Sequence, residues 1–231
     1  MSKMKYWWGI VQGELLFNYI RLVTRTARMS VEGVENLEAA KTSGHPVLWA
    51  LWHQQVMMVV NYLDRFENTS QYSSILVGGE RGVTLNHVGN RLGTGPSYTV
   101  DMQGNPMAAG RSVLQVIKAM KDGYRSVIAP DGPDGPAFVP KDGVFFLAQK
   151  AQAAVLPFGA AANPAIRLNR WDEYVVTIPF SRMYFVFGKP ILVGRKTDKE
   201  SLREQIVKAL HAARNRAQEL AGQARPMLTS A

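Results

Sequence analysis

The stretch that most constrains the fold of this chain is Pro46 to Met58, PVLWALWHQQVMM. Its short apolar run, Val47 to Trp52, has the length and character of a strand that is buried on both faces. His53 follows directly, and apolar residues in Gln54 to Asp64 then recur at the spacing of a helix. We therefore predict that His53 lies at the carboxyl end of a buried strand, where a helix begins.

The position predicted for His53 has two interpretations. In open parallel sheets, ligands bind beyond the carboxyl ends of the strands, and a helix N-terminus there favours anionic groups. A histidine at that point is a candidate catalytic residue. The alternative is a histidine packed inside the protein, with its ring nitrogens satisfied by the backbone.

The length and composition of the chain limit the class of protein that it can be. With 231 residues it is long enough for one large α/β domain, and a hydrophobic content of 46% excludes a disordered chain. It has no cysteine, which excludes disulfides and thiolate metal sites and fits a reducing compartment. The net charge of +9 predicts an anionic partner: nucleic acid, acidic lipid or a phosphate-bearing substrate.

Residues 1–30 are predicted to form an amphipathic, membrane-associating helix that precedes an α/β domain over residues 31–231. Polar residues interrupt any apolar span of the about 20 residues that a bilayer crossing needs, and no signal-peptide cleavage site follows. Paired tryptophans, an arginine-bearing face and a basic start are typical of an interfacial helix. An amphipathic helix packed on its own domain shows the same pattern. The two faces are formed by Trp8, Val11, Leu15, Tyr19 and Leu22 and by Glu14, Asn18, Arg21, Arg25 and Arg28.

The rest of the chain alternates candidate strands with candidate helices. This alternation predicts a single α/β domain with a mostly parallel central sheet flanked by helices. Further strands are predicted at Ser74–Val77, Ser97–Val100, Val127–Ala129, Ala154–Ala160, Tyr174–Ile178 and Tyr184–Phe187. Helices are predicted within Glu32–Ser43, Val83–Leu92, Arg111–Met120, Lys141–Gln149 and Thr197–Leu220, and loops at Gly78–Gly82 and Asp101–Gly110.

A second informative stretch is Ser126 to Gly135, SVIAPDGPDG. The segment Pro130 to Pro136 cannot continue a central strand, because its three prolines lack amide donors. It is predicted to be a stiff loop at the carboxyl end of a buried strand, on the same edge as His53 if the sheet is parallel. A plain turn is the alternative, since Pro-Asp-Gly is common turn chemistry.

The order of these motifs along the chain resembles the lysophospholipid acyltransferase (PlsC-like) superfamily, and most closely its DUF374 branch. The resemblance covers roughly Glu32 to Val193, and the proline loop is specific in combination with the later Phe-Gly-Lys-Pro segment. The matching segments are Trp52-His53, the glycine-rich charged loop, Ala129 to Pro136, Val155 to Gly159, Pro179 to Arg182 and Phe187 to Pro190.

The resemblance implies an O-acyltransferase that moves a fatty acyl group from an acyl thioester to a lysophospholipid or other glycerolipid hydroxyl. Acyl-CoA or acyl-ACP, the thioesters of coenzyme A and acyl carrier protein, would be co-substrates, and no bound cofactor or metal is implied. The histidine of the superfamily's H-x4-D motif is the general base, a role that falls here to His53. The resemblance also implies a peripheral protein on the cytoplasmic face of a membrane, with membrane lipid as a partner and no nucleic acid.

The chain departs from the H-x4-D pattern, because the position of the aspartate is Met58. A methionine cannot orient an imidazole. In the related branch an acidic residue sits in the later loop near Arg81, which is itself always cationic. The adjacent Glu80 is therefore the candidate for the carboxylate that orients His53.

The loop of Asp131, Gly132 and Pro133 matches the segment that helps to seat the glycerol phosphate headgroup. The related branch usually has arginine where this chain has Asp134, and a carboxylate there would repel a phosphate. We expect Arg81, Arg111 or Lys141 to supply the positive charge, unless the acceptor has no phosphate near this loop.

Two other classes of function compete with an enzyme. One is a catalytically inactive lipid-binding or membrane-accessory protein on the same fold, which Met58 and Asp134 favour and which His53 and the Asp131 loop oppose. The other is a nucleic-acid-binding protein, which only the net charge of +9 suggests, since the sequence has no recognised module signature.

Overall fold

In a computed structural model of the protein, the described residues are 2–77, 80–100 and 106–222, with only the backbone described for Val77, Glu80, Val100 and residues 106–109. Helices and strands alternate over most of this length. The helices are α1 (Lys3–Thr26), α2 (Val34–Thr42), α3 (Val56–Phe66), α4 (Glu80–Leu92), α5 (Pro106–Lys121), α6 (Asp142–Ala151) and α7 (Lys199–Gly222), with short 3-10 turns at His53–Gln55 and Thr69–Gln71.

The strands form one mixed sheet that is mostly parallel, as the sequence predicted. They are β1 (Arg28–Glu32), β2 (Val47–Ala50), β3 (Tyr72–Val77), β4 (Ser97–Val100), β5 (Arg125–Ile128), β6 (Ala154–Arg167), β7 (Val175–Phe187) and β8 (Ile191–Leu192). Their order is β1-β7-β6-β2-β5-β3-β4, with β8 pairing with β6. The pairs β6–β7 and β6–β8 are antiparallel, and the other pairs are parallel.

Strand β2 is buried on both faces, which confirms the prediction for this segment. Trp49 packs on one side, where its ring lies 5.0 Å from Phe187 and 5.7 Å from Tyr62 of α3. Leu48 and Ala50 pack on the other side, in a cluster with residues of α5, α6 and α7. Helices therefore flank the sheet on both sides, because alternate side chains of a strand point to opposite faces.

The long hairpin of β6 and β7 differs from the prediction. The sequence predicted a strand ending at Ala160 and two later strands, whereas β6 runs to Arg167 and β7 is continuous over Val175–Phe187. The ladder accommodates Pro164 at a register shift between Asn163 and Ala165. Pairing along both strands thus outweighs the local interruption by proline.

Two helices begin earlier than the sequence predicted. Helix α4 starts at Glu80, so Arg81 and Gly82 lie in its first turn and not in a loop, while Gly78 and Gly79 lie outside the described residues. Helix α5 starts at Pro106, so residues 106–110 are helical and 101–105 lie outside the described part. The first helical position tolerates proline because its amide would have no intrahelical partner there.

Helix α1 packs closely on the domain. Gly9 and Gly13 are buried against α4, and a Cβ on Gly13 would lie 2.8 Å from His87 Cβ and 2.9 Å from the Thr84 carbonyl oxygen. Glu14 of α1 accepts hydrogen bonds from His87 and Arg91, and the His87 contact is the main reason that the pKa of Glu14 is lowered. Part of the polar side of the helix is therefore turned towards the protein.

The outward side of α1 carries a stripe of exposed apolar side chains. Its exposed large side chains recur at helical spacing and include Trp7 and Trp8, which are 65% and 60% exposed. The remaining members are Met4, Val11, Leu15 and Leu22, and we call the six residues the α1 stripe. Helix α1 is thus packed on its own domain and also presents an apolar surface, and the membrane association that the sequence predicted for it stays a prediction. Within the described ranges, no helix is both long and apolar enough to span a membrane.

We predict that Gly13→Ala lowers the free energy of unfolding by about 1–3 kcal/mol, because the added methyl group cannot fit against Thr84 and His87. Gly143→Ala in α6 is the matched control, since a Cβ there meets nothing within 4 Å. The control should raise stability by up to about 1 kcal/mol. Urea unfolding of the three proteins measures both effects, and equal stabilities for the two variants would contradict the packing of α1 on α4.

Candidate functional site

Three strands bring the site residues to one edge of the sheet. Strands β5 and β6 both pair in parallel with β2, and Ala50 of β2 is in register with Ile128 and Pro157. His53 and Asp131 each lie three residues beyond the paired positions of β2 and β5, so they arrive at the same height. The segment that connects β6 to β7, residues 168–174, emerges at the same edge because β6 also ends there.

His53 is held by a carboxylate from the connection between β6 and β7. The Nδ1 atom of His53 lies 2.7 Å from Oδ2 of Asp172. Asp172 is fully buried, whereas the His53 side chain is 22% exposed. The Nε atom of Arg170 lies 3.3 Å from the other carboxylate oxygen of Asp172 and partly compensates its charge.

This contact selects one form of the neutral imidazole. An ionised carboxylate can only accept hydrogen bonds, so Nδ1 of His53 must be the donor to Asp172. The proton on Nδ1 leaves the lone pair on Nε2, which is then the basic nitrogen. A partly exposed histidine with this tautomer and a buried carboxylate behind it has the arrangement of a general base and its positioning group.

Asp131 fixes the backbone of the same residue. Its Oδ1 accepts the His53 amide N–H at 2.9 Å, and its Oδ2 accepts the Phe138 amide N–H at 3.1 Å. Asp131 is 1% exposed. The carboxylate therefore joins β2 to the proline loop and is not free to contact a substrate through either oxygen.

Aromatic rings and a glycine enclose the imidazole. The Trp171 ring lies 5.2 Å from the His53 ring, and the Tyr174 ring lies 6.0 Å away. Burial raises the pKa of Tyr174 to about 12, so its hydroxyl stays protonated at neutral pH. A Cβ on Gly132 would lie 2.7 Å from Cδ2 of His53, so only glycine allows the proline loop to approach the ring so closely.

An open cleft of about 510 Å³ lies next to Trp171, whose ring is beside His53. It is lined by Arg81, Pro133, Asp134, Arg170 and Trp171. Among the predicted substrate-binding residues, Arg81 and Pro133 line the cleft. Asp131 and Gly132 do not line it but contact His53. Arg111 is exposed on α5, and Lys141 precedes α6; neither is one of the lining residues.

The backbone of Glu80 lies at the same edge of the sheet, because it begins α4 directly after β3. Its side chain is outside the described part of the structure. That Glu80 orients His53 therefore stays a prediction. The carboxylate observed in contact with His53 is that of Asp172.

Met58, at the position of the missing aspartate, is fully buried in the core cluster that contains Trp49 and Tyr62. A carboxylate at this position would lie among apolar side chains. The structure gives residue 58 a packing role and places the acidic partner of His53 on a different segment.

Asp172 was missed by the sequence reasoning because residues 161–173 were not assigned to any element or motif. A signal was present, since Arg170, Asp172 and Glu173 form a charged group that follows a buried strand. The strand was predicted to end at Ala160, which placed these charges far from the sheet edge.

The described residues offer no obvious place for a metal ion. Over the ranges 2–77, 80–100 and 106–222, no group of three or more histidine, aspartate or glutamate side chains is arranged to hold one. The polar groups that face the cleft are instead the charged side chains of Arg81, Asp134 and Arg170.

Comparisons with known proteins agree with this architecture. No protein-family model matches the chain. An uncharacterized protein of Rickettsia prowazekii (strain Madrid E) is 24% identical over 198 residues, which are 85% of this chain and 88% of that protein. The crystal structure of the 1-acyl-sn-glycerophosphate (LPA) acyltransferase PlsC from Thermotoga maritima is similar with a TM-score of 0.57 and 19% identity, over 96% of this chain and 80% of that one.

The chain therefore has the α/β fold of the PlsC acyltransferase. The fold that the sequence resemblance implied is confirmed. The narrower assignment to the DUF374 branch stays a prediction, because no family model matches.

We predict that Asp131→Asn lowers the free energy of unfolding by about 1–3 kcal/mol. An amide has one acceptor oxygen, so one of the two amide N–H groups that Asp131 binds would face another donor. Asp134→Asn in the same loop is the control, because Asp134 is exposed and its substitution should change stability by less than about 0.5 kcal/mol. Chemical denaturation checks both values, and a stable Asp131→Asn protein would contradict the bridging role.

Proposed function

We propose that the protein is an acyltransferase that moves a fatty acyl group from an acyl thioester to a lysophospholipid or other glycerolipid hydroxyl. The observation that carries the proposal is the contact of His53 with buried Asp172 beside an open cleft. The likeness of the fold to a PlsC acyltransferase supports it. Coenzyme A or acyl carrier protein would carry the acyl group as a co-substrate.

The proposed chemistry needs a base but no covalent acyl-enzyme. Nε2 of His53 removes the proton of the acceptor hydroxyl as its oxygen attacks the thioester carbonyl. Asp172 holds the ring and stabilises the imidazolium that forms. The tetrahedral intermediate then expels the thiolate, which takes the proton from His53. The products are an ester and a free thiol, and His53 returns to its neutral form.

An inactive lipid-binding protein on the same fold remains the alternative function. Asp134 and the absence of a carboxylate at residue 58 favour it. Asp172 supplies a carboxylate to Nδ1 of His53 by another route, so the argument from residue 58 no longer favours the inactive protein.

We predict that His53→Ala lowers kcat by about 10²–10⁴, the usual contribution of a positioned base. Asp172→Asn should lower it by about 10² or more, because the amide can donate to Nδ1 and then favours the wrong tautomer. The assay is acyl transfer to a panel of lysophospholipids, with acyl-CoA and acyl-ACP as donors.

His45→Ala is the matched control for this experiment, since His45 precedes β2 and contacts the Gln152 carbonyl oxygen away from the cleft. Glu80→Gln separates the two candidates for the positioning carboxylate. If it lowers the rate as much as Asp172→Asn, the role belongs to Glu80 as well. Equal rates for wild type and His53→Ala with every acceptor would contradict the base and favour the lipid-binding alternative.

We further propose that the protein associates peripherally with the cytoplasmic face of a membrane through the α1 stripe. The exposed tryptophans are the side chains that partition best at a membrane interface. Arg25 and Arg28, exposed at the end of α1 and the start of β1, add attraction to anionic lipid. Arg21 contributes less, because it is paired with Asp64 of α3.

We predict that replacing Trp7, Trp8 and Leu15 together by glutamine lowers flotation with anionic vesicles by at least about tenfold, since three large apolar side chains no longer enter the interface. Substitution is preferable to removal of α1, whose Ile20 and Val23 are part of the core. Leu114→Gln is the control, because Leu114 is 59% exposed on α5. Equal flotation of the triple variant and wild type would place the membrane contact elsewhere.

A further inference from the structure

The cleft beside His53 carries charges of both signs. Arg81 at the start of α4 and Arg170 in the connection between β6 and β7 supply positive charge, and Asp134 in the proline loop supplies negative charge. A site that accepts only a phosphate would gain nothing from Asp134, because a carboxylate repels an anion. The mixture of charges therefore requires an explanation beyond phosphate binding.

The two carboxylates of the repeated Pro-Asp-Gly sequence have different surroundings. Asp131 is buried, and its two oxygens accept the amide N–H groups of His53 and Phe138. Asp134 is exposed, and no hydrogen bond or ion pair joins it to any residue within the described ranges. The structure of the loop thus depends on Asp131, while the charge of Asp134 stays available to a ligand.

Asp134 and Trp171 are the lining residues of the cleft that suit a cation. The Trp171 ring is fixed between the His53 ring and Gly135, whose added Cβ would lie 2.5 Å from Cε3 of the indole. An indole ring that is held in place and a carboxylate that lines the same cleft can both attract an ammonium group, the ring through its π electrons and the carboxylate through its charge.

Arg81 and Arg170 are the lining residues that suit an anion. Arg81 has no hydrogen bond or ion pair among the described residues, so its guanidinium is available to an oxyanion. Arg170 lies against Asp172 through Nε, and its side chain is still 43% exposed. Guanidinium groups bind phosphate oxygens in a bidentate manner.

We propose that the cleft selects an acceptor whose headgroup carries both a phosphate and an ammonium group. The phosphate is bound by Arg81 and Arg170, and the ammonium group by Asp134 and Trp171. This inference rests on the proposed function, because it names the acceptor class of the same site. Lysophosphatidylethanolamine is a probe with both groups, and lysophosphatidylglycerol of the same acyl chain has the phosphate but no ammonium group.

The test compares kcat/KM for these two acceptors in the full-length protein. Wild type should prefer the ethanolamine headgroup. Asp134→Asn should lower the ratio of ethanolamine to glycerol acceptor by roughly 2- to 10-fold, the range for a partly exposed charge pair with an aromatic neighbour. Asp134→Arg should lower the ratio further or reverse it, and Arg81→Gln should lower both values together because both acceptors carry the phosphate.

Asp122→Asn is the matched control, since this exposed aspartate pairs with Lys118 at the end of α5 and is not a lining residue of the cleft. It should leave the ratio as in wild type. A wild-type preference for the glycerol headgroup that Asp134→Asn does not change would overturn the inference while the acyltransferase function stands.

A binding experiment separates failure of the inference from failure of the proposed function. Short-chain, monomeric forms of the same two lipids are titrated into His53→Ala protein and followed by calorimetry. If no acceptor is acylated but the ethanolamine lipid binds more tightly in an Asp134-dependent way, the enzyme proposal fails and headgroup recognition stands. Equal binding of the two lipids would overturn the recognition.

Discussion

The burial of strand β2 on both faces is the constraint on which the site depends. Its residues pack alternately into the core on either side, and it is paired on both edges by β5 and β6. No sliding or rotation of the strand is possible without moving Trp49 or Leu48 out of the core. The carboxyl end of the strand is therefore fixed, and the carboxylate of Asp131 fixes the amide of His53 immediately beyond it. The residue proposed as the base therefore follows a strand that is buried on both faces and paired on both edges.

The sequence was sufficient for features that depend on local patterns. The apolar run before His53 and the proline loop after β5 each fixed one end of a strand, and parallel pairing then brought the two ends together. Asp172 could not be found in this way, because its position depends on how far the β6–β7 hairpin extends beyond Ala160. Pairing with β7 decides that length, and local periodicity contains no information about a partner strand.

Helix α1 shows a second limit of local patterns. The sequence reveals that the helix has two faces but does not reveal which face the domain covers. Gly9 and Gly13 determine which side of α1 faces the domain, because their small size lets α4 approach. Glu14 then contacts His87 of α4, and Arg21 pairs with Asp64 of α3. The apolar stripe is left outside. Amphipathicity alone does not show that Glu14 and Arg21 of the polar face turn inwards, since this depends on the charges of the neighbouring helices.

The partner of His53 also shows that geometry identifies the carboxylate beside an imidazole better than a sequence motif does. The imidazole needs a carboxylate at Nδ1, and it does not need that carboxylate at a fixed distance in the sequence. In this chain the side chain five residues after His53 belongs to the core cluster that contains Trp49 and Tyr62, where a carboxylate would lose its hydration without gaining a partner. A carboxylate from the β6–β7 connection meets a ring nitrogen and lies close to a guanidinium, so its burial is compensated. The absence of an acidic residue at position 58 is therefore compatible with the general base proposed for His53, because the hairpin supplies a carboxylate to Nδ1.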